Sequence, residues 1–343
     1  MNNPFSLTFG KQPQSLIGRD QQIDEIVSSF TATVPDYQVC MLTGVRGVGK
    51  TVFLTSVANE LRQNKDWLVL DLSPERNLLD SMAAELADNT SFLDYLKRAK
   101  ISISAFGLGL KFGEGGAVKD SAVVLDKMLA QLTKGKKRVL VTVDEVVSNK
   151  NVREFVSQVQ IYLRKNYNIF LLMTGLYENV YDLQNASTMT FLYRAPKLEL
   201  GPLNLLLVAE KYKEIFRLSA GDAKAMAELT KGYPYAFQVL GYLCFKQKKS
   251  FDKLLVEYDA YLREYVYEKI WSEMSKGDRA VLLAMAKAKD TKVVAIREVL
   301  TMPSNNFAIY RKRLLKKGVA ETPEYGHLDF VLPRFKEFVL SEQ

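Results

Sequence analysis

Cysteine and histidine are scarce in this sequence. Its 343 residues contain two cysteines, Cys40 and Cys244, and a single histidine, His327. So few cysteines exclude a disulfide-stabilised scaffold, and a lone histidine supports neither a histidine-based metal site nor Ser-His catalysis. Both cysteines lie within apolar segments far apart in the chain, so we expect reduced, buried thiols in a cytoplasmic protein.

Long apolar runs are also missing. No segment approaches the roughly 18–20 uninterrupted apolar residues that a transmembrane helix needs. Residues 1–20 are polar and contain Pro4 and Pro13, unlike a signal peptide. The composition, 48% hydrophobic and 25% charged, is that of a globular protein. Since a single core usually stops growing at about 250–300 residues, we expect two or three domains and no membrane partner.

The excess of positive charge is modest. Lysine and arginine number 47 against 39 acidic residues, which gives a formal net charge of +8. A value of this size is compatible with a polyanionic partner but is also common among proteins that have none. The positions of the basic residues are therefore more informative than their total.

Apolar stretches of strand length alternate with helical patterns through residues 1–201. The predicted strands cover residues 37–43, 67–72, 138–143, 168–174 and 197–200. Helical periodicity between them, at 22–30, 51–62 and 151–165, predicts an α/β domain with a five-stranded parallel sheet. The glycine-rich residues 99–117 predict a β-hairpin insert, for which a surface excursion and a partner-contact loop are both open interpretations.

The strand signal ends at Gly201-Pro202. Helical patterns through residues 202–272 predict a helical lid domain. Residues 273–343 combine three helices with two short extended stretches, which predicts a winged helix-turn-helix domain.

The strongest motif follows the first predicted strand and opens the next helix. Residues 44–51 read G-V-R-G-V-G-K-T, which satisfies the P-loop pattern G-x-x-x-x-G-K-[ST] in a strand-loop-helix context. Backbone amides of such a loop surround phosphates, the lysine reaches the β and γ phosphates, and the hydroxyl binds Mg²⁺. We therefore expect an ATP site formed by Gly44, Arg46, Gly47, Val48, Gly49, Lys50, Thr51 and Val52.

Polar residues at the ends of neighbouring strands complete this site. Asp144 follows the apolar run 138–143 and is expected to bind Mg²⁺ together with Thr51, while Glu145 would orient or deprotonate an attacking water. Thr174 ends the next strand, where it can position water or simply begin a turn. Arg194 is a candidate arginine finger for a neighbouring subunit's ATP, with a salt bridge inside its own subunit as the alternative.

The order of these elements resembles that of the AAA+ ATPases, and more closely the archaeal-type ATPases, which lie between the AAA+ initiator clade and the STAND signalling ATPases. The resemblance rests on L-I-G-R-D at 16–20, the P-loop, Asp144-Glu145, Thr174, Arg194 and K-G-Y-P at 231–234. It implies that Ile17 and Gly18 line an adenine pocket, that Asp144 and Glu145 are the Walker B pair, and that Thr174 is sensor 1.

The chain departs from the common AAA+ pattern in its third lid helix. AAA+ proteins commonly carry a sensor 2 arginine at the start of the third lid helix, where this chain has Gly232-Tyr233-Pro234. That element resembles the Gly-x-Pro of STAND proteins, which implies a nucleotide contact at Pro234 and leaves open a slow ATP-dependent switch beside the fast, lid-coupled hydrolysis of AAA+ proteins. A homo-oligomer is a further expectation that the resemblance implies.

The basic residues concentrate in the third helix of the C-terminal domain. Residues 303–320 hold five basic side chains and no acidic one. We expect an apolar side formed by Phe307, Ile309, Leu314 and Leu315. The opposite side would contact double-stranded DNA through Asn306, Tyr310, Arg311, Arg313 and Lys317.

The wing that follows is acidic, with Glu321, Glu324 and Asp329. Docking of a protein partner and a purely structural cap therefore remain alternatives to DNA binding. The sequence predicts an ATP-binding and ATP-hydrolysing switch whose output is either DNA or a protein partner.

Overall fold

The computed structural model describes residues 2–8, 17–102, 106 and 120–342. Contacts divide the chain into two compact units. The α/β unit comprises Arg19–Thr43 and Lys50–Glu199, and the helical unit comprises Met1–Gly18, Gly44–Gly49 and Leu200–Gln343.

A five-stranded parallel sheet forms the centre of the α/β unit, as the sequence predicts. Its strands are β1 (Val39–Thr43), β2 (Trp67–Leu72), β3 (Arg138–Val143), β4 (Ile169–Gly175) and β5 (Lys197–Glu199), in the spatial order β2-β3-β4-β1-β5. Every residue of β1 and β4 is buried, because central strands of a parallel sheet are covered on both faces. In the register of the sheet, Thr43 pairs with Gly175 and Val143 with Met173, so the carboxyl ends of β1, β3 and β4 meet at one edge.

Helices connect these strands. They are α1 (Asp20–Thr31), α2 (Lys50–Arg62), α3 (Leu78–Asp88), α4 (Thr90–Arg98), α5 (Ser121–Lys134), α6 (Lys150–Arg164) and α7 (Tyr177–Asn185), followed by a 3-10 helix at Thr190–Arg194. Asparagine or aspartate side chains cap α3, α4, α5 and α6 by accepting hydrogen bonds from first-turn amides. The predicted hairpin at 99–117 lies outside the described residues, apart from 99–102 and Phe106.

The helical unit contains the remaining helices. They are α8 (Leu205–Phe216), α9 (Ala220–Thr230), α10 (Pro234–Gln247), α11 (Leu255–Leu262), α12 (Glu268–Ser272), α13 (Lys276–Lys287), α14 (Val293–Val299), α15 (Ser304–Lys316) and α16 (Phe335–Ser341). Residues 251–272, within the predicted helical lid, form a 3-10 turn at Phe251–Leu254, α11, a π-helix at Arg263–Tyr267, and α12.

Three helices followed by paired strands do occur in the C-terminal region, here called the C-terminal module (residues 273–343). After α13, α14 and α15, an antiparallel pair joins β6 (Ala320–Glu321) to β7 (Asp329–Phe330), and α16 follows. This is the predicted order of elements. The assignment of the module as a winged helix stays a prediction.

The predicted boundary near residue 272 does not interrupt the hydrophobic core. The Tyr267 ring packs against Phe335 at 4.9 Å between centroids, and its hydroxyl donates to the Pro333 carbonyl. Arg334 donates to both carboxylate oxygens of Asp259. The structure thus groups residues 202–272 and the C-terminal module around one core, where the sequence predicts two domains.

The N-terminal residues 2–8 also pack in the helical unit. Phe5 is buried, stacked on Phe216 at 5.7 Å and edge-on to Phe237 at 5.4 Å. The Asn3 amide donates to the Tyr242 carbonyl at 3.2 Å. The sequence assignment of residues 1–201 to one domain misses this, because one phenylalanine among polar residues has no periodicity to reveal it.

Among the described residues, no helix combines the length and the apolar character needed to cross a membrane.

Candidate functional site

Three predicted polar residues meet at the carboxyl edge of the sheet in the α/β unit. Thr51 lies in the first turn of α2, Asp144 follows β3, and Thr174 lies in β4. The Thr51 hydroxyl donates to Asp144 Oδ2 at 2.6 Å, and the Thr174 hydroxyl donates to Asp144 Oδ1. Two hydroxyls from different elements therefore orient one carboxylate.

Glu145 continues the chain in an uncommon backbone conformation. Its φ is +54°, in the left-handed region that residues with a side chain rarely adopt. Its backbone N–H donates to Asp144 Oδ1 at 3.0 Å and to the Thr174 hydroxyl at 3.2 Å. The glutamate side chain is exposed whereas Asp144 is half-buried. Because strained backbone is often found at functional sites, this turn supports Glu145 as a reactive position.

Lys50 begins α2 beside Thr51 and is only 8% exposed. A lysine is rarely buried to this degree without a partner, and Lys50 has an electrostatic or hydrogen-bonding interaction within the protein. The structure thus brings the Thr51 and Thr174 hydroxyls to the Asp144 carboxylate, with Lys50 and Glu145 as the chain neighbours of Thr51 and Asp144.

The loop Gly44–Gly49 precedes α2 in the chain and is grouped with the helical unit by its contacts. Gly47 and Gly49 have φ values of +78° and +93°, which favour glycine. A Cβ on Gly47 would lie 2.1 Å from the Tyr233 hydroxyl oxygen, so no other residue fits there without rearrangement. Within the same unit, the Tyr233 hydroxyl donates to the Arg46 carbonyl, and the Arg46 guanidinium lies 3.6 Å from Glu273.

The loop in the helical unit has the chemical groups that phosphates require, and the carboxyl edge in the α/β unit has those that Mg²⁺ requires. The N–H groups of Gly47 and Gly49 donate to no residue that the structure describes, so both are available for phosphate oxygens. Thr51 and Asp144 supply hard oxygen donors, the ligand type that Mg²⁺ prefers. These residues fit the predicted ligand and metal.

The other residues predicted to bind the nucleotide differ in burial and in position. Val48 is buried at 2% exposure, and Val52 is half-buried in the first turn of α2. Ile17 and Gly18 precede Arg19, the N-cap residue of α1, and Ile17 packs on the core of the helical unit. Pro234 is the first residue of α10, where its missing N–H breaks no helical hydrogen bond. Their roles remain predictions.

Arg194 ends the 3-10 helix that precedes β5. Its side chain is exposed, and it forms no ion pair with any described residue. The alternative of a salt bridge within the subunit therefore has no support in the described part of the chain. A role as an arginine finger remains a prediction.

The candidate DNA-binding residues on α15 differ from one another in their contacts. Asn306 is exposed, and Lys317 is half-buried just beyond the helix. Tyr310 packs so closely on Gly277 that a Cβ there would lie 2.1 Å from its ring. Arg311 donates to the Thr322 hydroxyl at 3.3 Å.

Arg313 lies against a buried acid. It donates to Asp278 Oδ2 at 2.7 Å, and the Asp278 side chain is 0% exposed. The expectation that Ile309 belongs to the core is wrong, since it is 57% exposed. Asn305, Asn306, Ile309 and Lys312 are instead exposed on α15. The prediction from the sequence omitted Asn305 and Lys312 as exposed residues of α15. The available signal was Asp278, because an acid that needs a basic partner can bind an arginine of α15 and so change which residues of the helix are exposed.

Two family models match parts of the chain. Residues 15–149 match the family described as AAA ATPase domain. Residues 264–339 match the family described as Domain of unknown function (DUF8462). A comparison with curated proteins found no match.

Solved structures from archaea share the fold over nearly the whole chain. The chain is similar to the Walker-type ATPase PABY2304 of Pyrococcus abyssi, at 17% identity and a TM-score of 0.71, covering 98% of this chain and 99% of that one. It is also similar to the Aeropyrum pernix ORC2 protein in its ADPNP-ADP complexes, at 13% identity and a TM-score of 0.61, covering 97% and 96%.

A third similar structure is Cdc6p from Pyrobaculum aerophilum, at 13% identity and a TM-score of 0.50, covering 98% of this chain and 96% of that one. Identities this low show a shared fold, and function has to be argued from the site. The family match and the shared fold agree with the P-loop and with the acidic residues after β3. Residues 15–149 are therefore an AAA ATPase domain, and the chain shares the fold of these three structures.

Proposed function

We propose that this ATPase is an ATP- and Mg²⁺-dependent molecular switch that acts on double-stranded DNA through the C-terminal module. The observation that carries the ATP-dependent part is the Asp144 carboxylate, held by the hydroxyls of Thr51 and Thr174. The observation that favours DNA is the exposed part of α15, which bears asparagines and a lysine and no acidic side chain.

In this proposal each residue of the carboxyl edge has one task. Lys50 and the loop amides bind the β and γ phosphates, and Mg²⁺ held by Thr51 and Asp144 neutralises phosphate charge. Glu145 orients and deprotonates the attacking water, while Thr174 keeps Asp144 in place. Ile17, Gly18 and Pro234 contribute to the adenine pocket. Arg194 serves a neighbouring subunit of a homo-oligomer.

On the DNA side, the exposed residues of α15 replace part of the set predicted from sequence. Asparagine side chains can form paired hydrogen bonds with adenine, and an apolar residue can contact the thymine methyl group. Asn305, Asn306 and Ile309 have these chemistries, and Lys312 suits a phosphate contact. Arg313 is directed to Asp278 in the same module and contributes mainly to folding.

DNA binding by the full chain, measured over a range of salt concentrations, tests this assignment. We expect Lys312→Ala to weaken binding and to reduce the slope of log K against log salt by about 1, as loss of one phosphate contact does. Asn306→Ala should weaken binding roughly fivefold to 100-fold at the preferred sequence. Lys336→Ala is the matched control, because it removes an exposed lysine from α16 of the same module.

Equal losses in Lys312→Ala and Lys336→Ala would show that binding follows overall charge rather than the α15 surface. Binding indistinguishable from background at physiological salt would contradict the DNA proposal.

A protein partner is the second candidate, and a specific observation favours it. Ile309 and Val294 are 57% and 70% exposed, and Tyr325 is fully exposed next to the acidic wing. A contiguous patch of exposed apolar side chains is typical of a protein-binding surface. A stable partner that is lost in Ile309→Glu and retained in Lys312→Ala would support this function over DNA binding.

A further inference from the structure

Tyr233 connects the start of α10 to the P-loop inside the helical unit. The residue is 3% exposed and lies directly before Pro234. Its hydroxyl donates to the Arg46 carbonyl, in the middle of the loop. The same hydroxyl lies where a Cβ of Gly47 would be, at 2.1 Å. One phenol therefore contacts both residues of the peptide unit that joins Arg46 to Gly47.

The geometry of that peptide unit links this contact to the phosphate chemistry. No peptide bond among the described residues is cis, and in a trans peptide the C=O and the following N–H point in opposite directions. Because Tyr233 holds the Arg46 C=O, the Gly47 N–H is directed away from Tyr233. That N–H donates to no described residue.

Further contacts restrain the same part of the loop. The Arg46 guanidinium lies 3.6 Å from Glu273, and Val45 lies beside Gly318 in the C-terminal module. Burial raises the pKa of the Tyr233 hydroxyl far above its ordinary value, so the group stays protonated and remains a donor at physiological pH. The orientation of the Arg46–Gly47 peptide is therefore set from within the helical unit.

We propose that Tyr233 is a positioning residue for nucleotide binding, which orients the Gly47 N–H toward the phosphates through the Arg46 carbonyl. The proposal rests on the ATP site described above and adds a residue at the place where a sensor 2 arginine is absent. Tyr233 acts on the loop and not on the nucleotide. Its removal should weaken binding of the phosphate chain more than binding of the nucleoside part.

Tyr233→Phe in the full-length chain removes the hydroxyl and keeps the ring. Tyr212→Phe is a matched control, because Tyr212 is also buried in the helical unit and donates to a backbone carbonyl, that of Phe237, at 2.8 Å. We expect ADP and ATP to bind about three- to tenfold more weakly to Tyr233→Phe, the effect of losing one hydrogen bond, and within twofold of wild type to Tyr212→Phe.

The ratio of ADP affinity to AMP affinity separates positioning from general stability. P-loop amides act mainly on the β and γ phosphates, so the ratio should fall in Tyr233→Phe and stay constant in Tyr212→Phe. Gly47→Ala disturbs the same contact from the loop side and should lower the ratio as well. Its effect should exceed that of Tyr233→Phe, because alanine also strains a backbone with a φ of +78°.

If Tyr233→Phe binds nucleotide as tightly as the wild type, with the same ratio of ADP affinity to AMP affinity, this proposal is overturned and the ATP site is not. Equal losses in Tyr233→Phe and Tyr212→Phe would also overturn it, since they would show a general effect on the helical unit. Absence of nucleotide binding by the wild type would overturn the ATP site and this inference together. If Tyr233→Phe does not fold, Tyr233→Met decides by the same ratio, because it also removes the hydroxyl and fills the space with a flexible apolar side chain.

Discussion

The carboxyl edge of the sheet and helix α15 both carry polar residues to which the sequence assigns function. The side chains of the sheet edge lie together as expected, whereas several side chains of α15 do not lie where the sequence predicts. At the sheet edge, Thr51, Asp144 and Thr174 meet as the motif spacing predicts. On α15, Tyr310 and Arg313 contact their own module, while Ile309 is exposed. Strand register fixes where a strand ends, whereas a helix can rotate to satisfy its neighbours.

The neighbour that decides the orientation of α15 is Asp278. This residue forms the capping box of α13, in which it accepts hydrogen bonds from the Ser275 N–H at 3.0 Å and the Ser275 hydroxyl at 2.8 Å. Its side chain is fully buried, and a buried carboxylate is costly unless a cation is close. Arg313 supplies that cation, which directs one side of α15 inward.

The largest effect should come from the sheet edge. Glu145→Gln keeps the size of the side chain and removes the base, so we expect ATP turnover to fall by about 10²–10⁴-fold, with nucleotide still bound. Phosphate release and retention of labelled ATP measure the two quantities. Glu75→Gln, at an exposed loop position of the same unit, is the control and should turn over normally. Turnover retained in Glu145→Gln would remove this residue from the chemistry.

The next largest effect should appear in the folding stability of the helical unit. Arg313→Ala leaves the Asp278 carboxylate buried and without its cation. We expect a loss of about 2–3 kcal/mol, less than for a fully buried pair because the Arg313 side chain is 39% exposed. Lys312→Ala is the adjacent control and should change stability by less than about 0.5 kcal/mol. Denaturant titration measures both losses of stability. A larger loss in Lys312→Ala than in Arg313→Ala would contradict the role given to the Arg313–Asp278 pair.

Alkylation of the two cysteines can show whether the loss of stability in Arg313→Ala is confined to the helical unit. Cys40 lies in β1 and Cys244 in α10, and burial raises the pKa of each thiol to about 12. A raised pKa means that the reactive thiolate is scarce below that pH, so alkylation at pH 8 proceeds through opened states in which the pKa is ordinary. In Arg313→Ala we expect Cys244 to be labelled about tenfold faster or more, with Cys40 unchanged. Equal acceleration at both positions would mean that the units open together.

The difference between the sheet edge and α15 also explains which features could be predicted from the sequence. The five strands, the loop at 44–51 and the acidic pair after β3 follow from local patterns, since periodicity and spacing are properties of neighbouring residues. The burial of Phe5, the exposure of Ile309 and the pairing of Arg313 depend on partners far away in the chain. Local patterns hold no information about such partners. The continuity of the core across residue 272 has the same origin, because Asp259 and Arg334 are 75 residues apart.

The smallest effect tests the backbone at the sheet edge. Glu145 has a φ of +54°, and the left-handed conformation costs a residue with a Cβ roughly 1–2 kcal/mol. Glu145→Gly relieves this strain and, after the entropy that glycine loses on folding, should raise stability by about 0.5–1 kcal/mol. Glu145→Ala is the matched control, because it removes the same carboxylate and keeps the Cβ. We expect both variants to lose turnover and only the glycine variant to gain stability in denaturant titration. That result would show that the sheet edge gives up stability for activity, whereas Arg313 on α15 contributes stability. Equal stability of the two variants would show that the turn after β3 carries no strain.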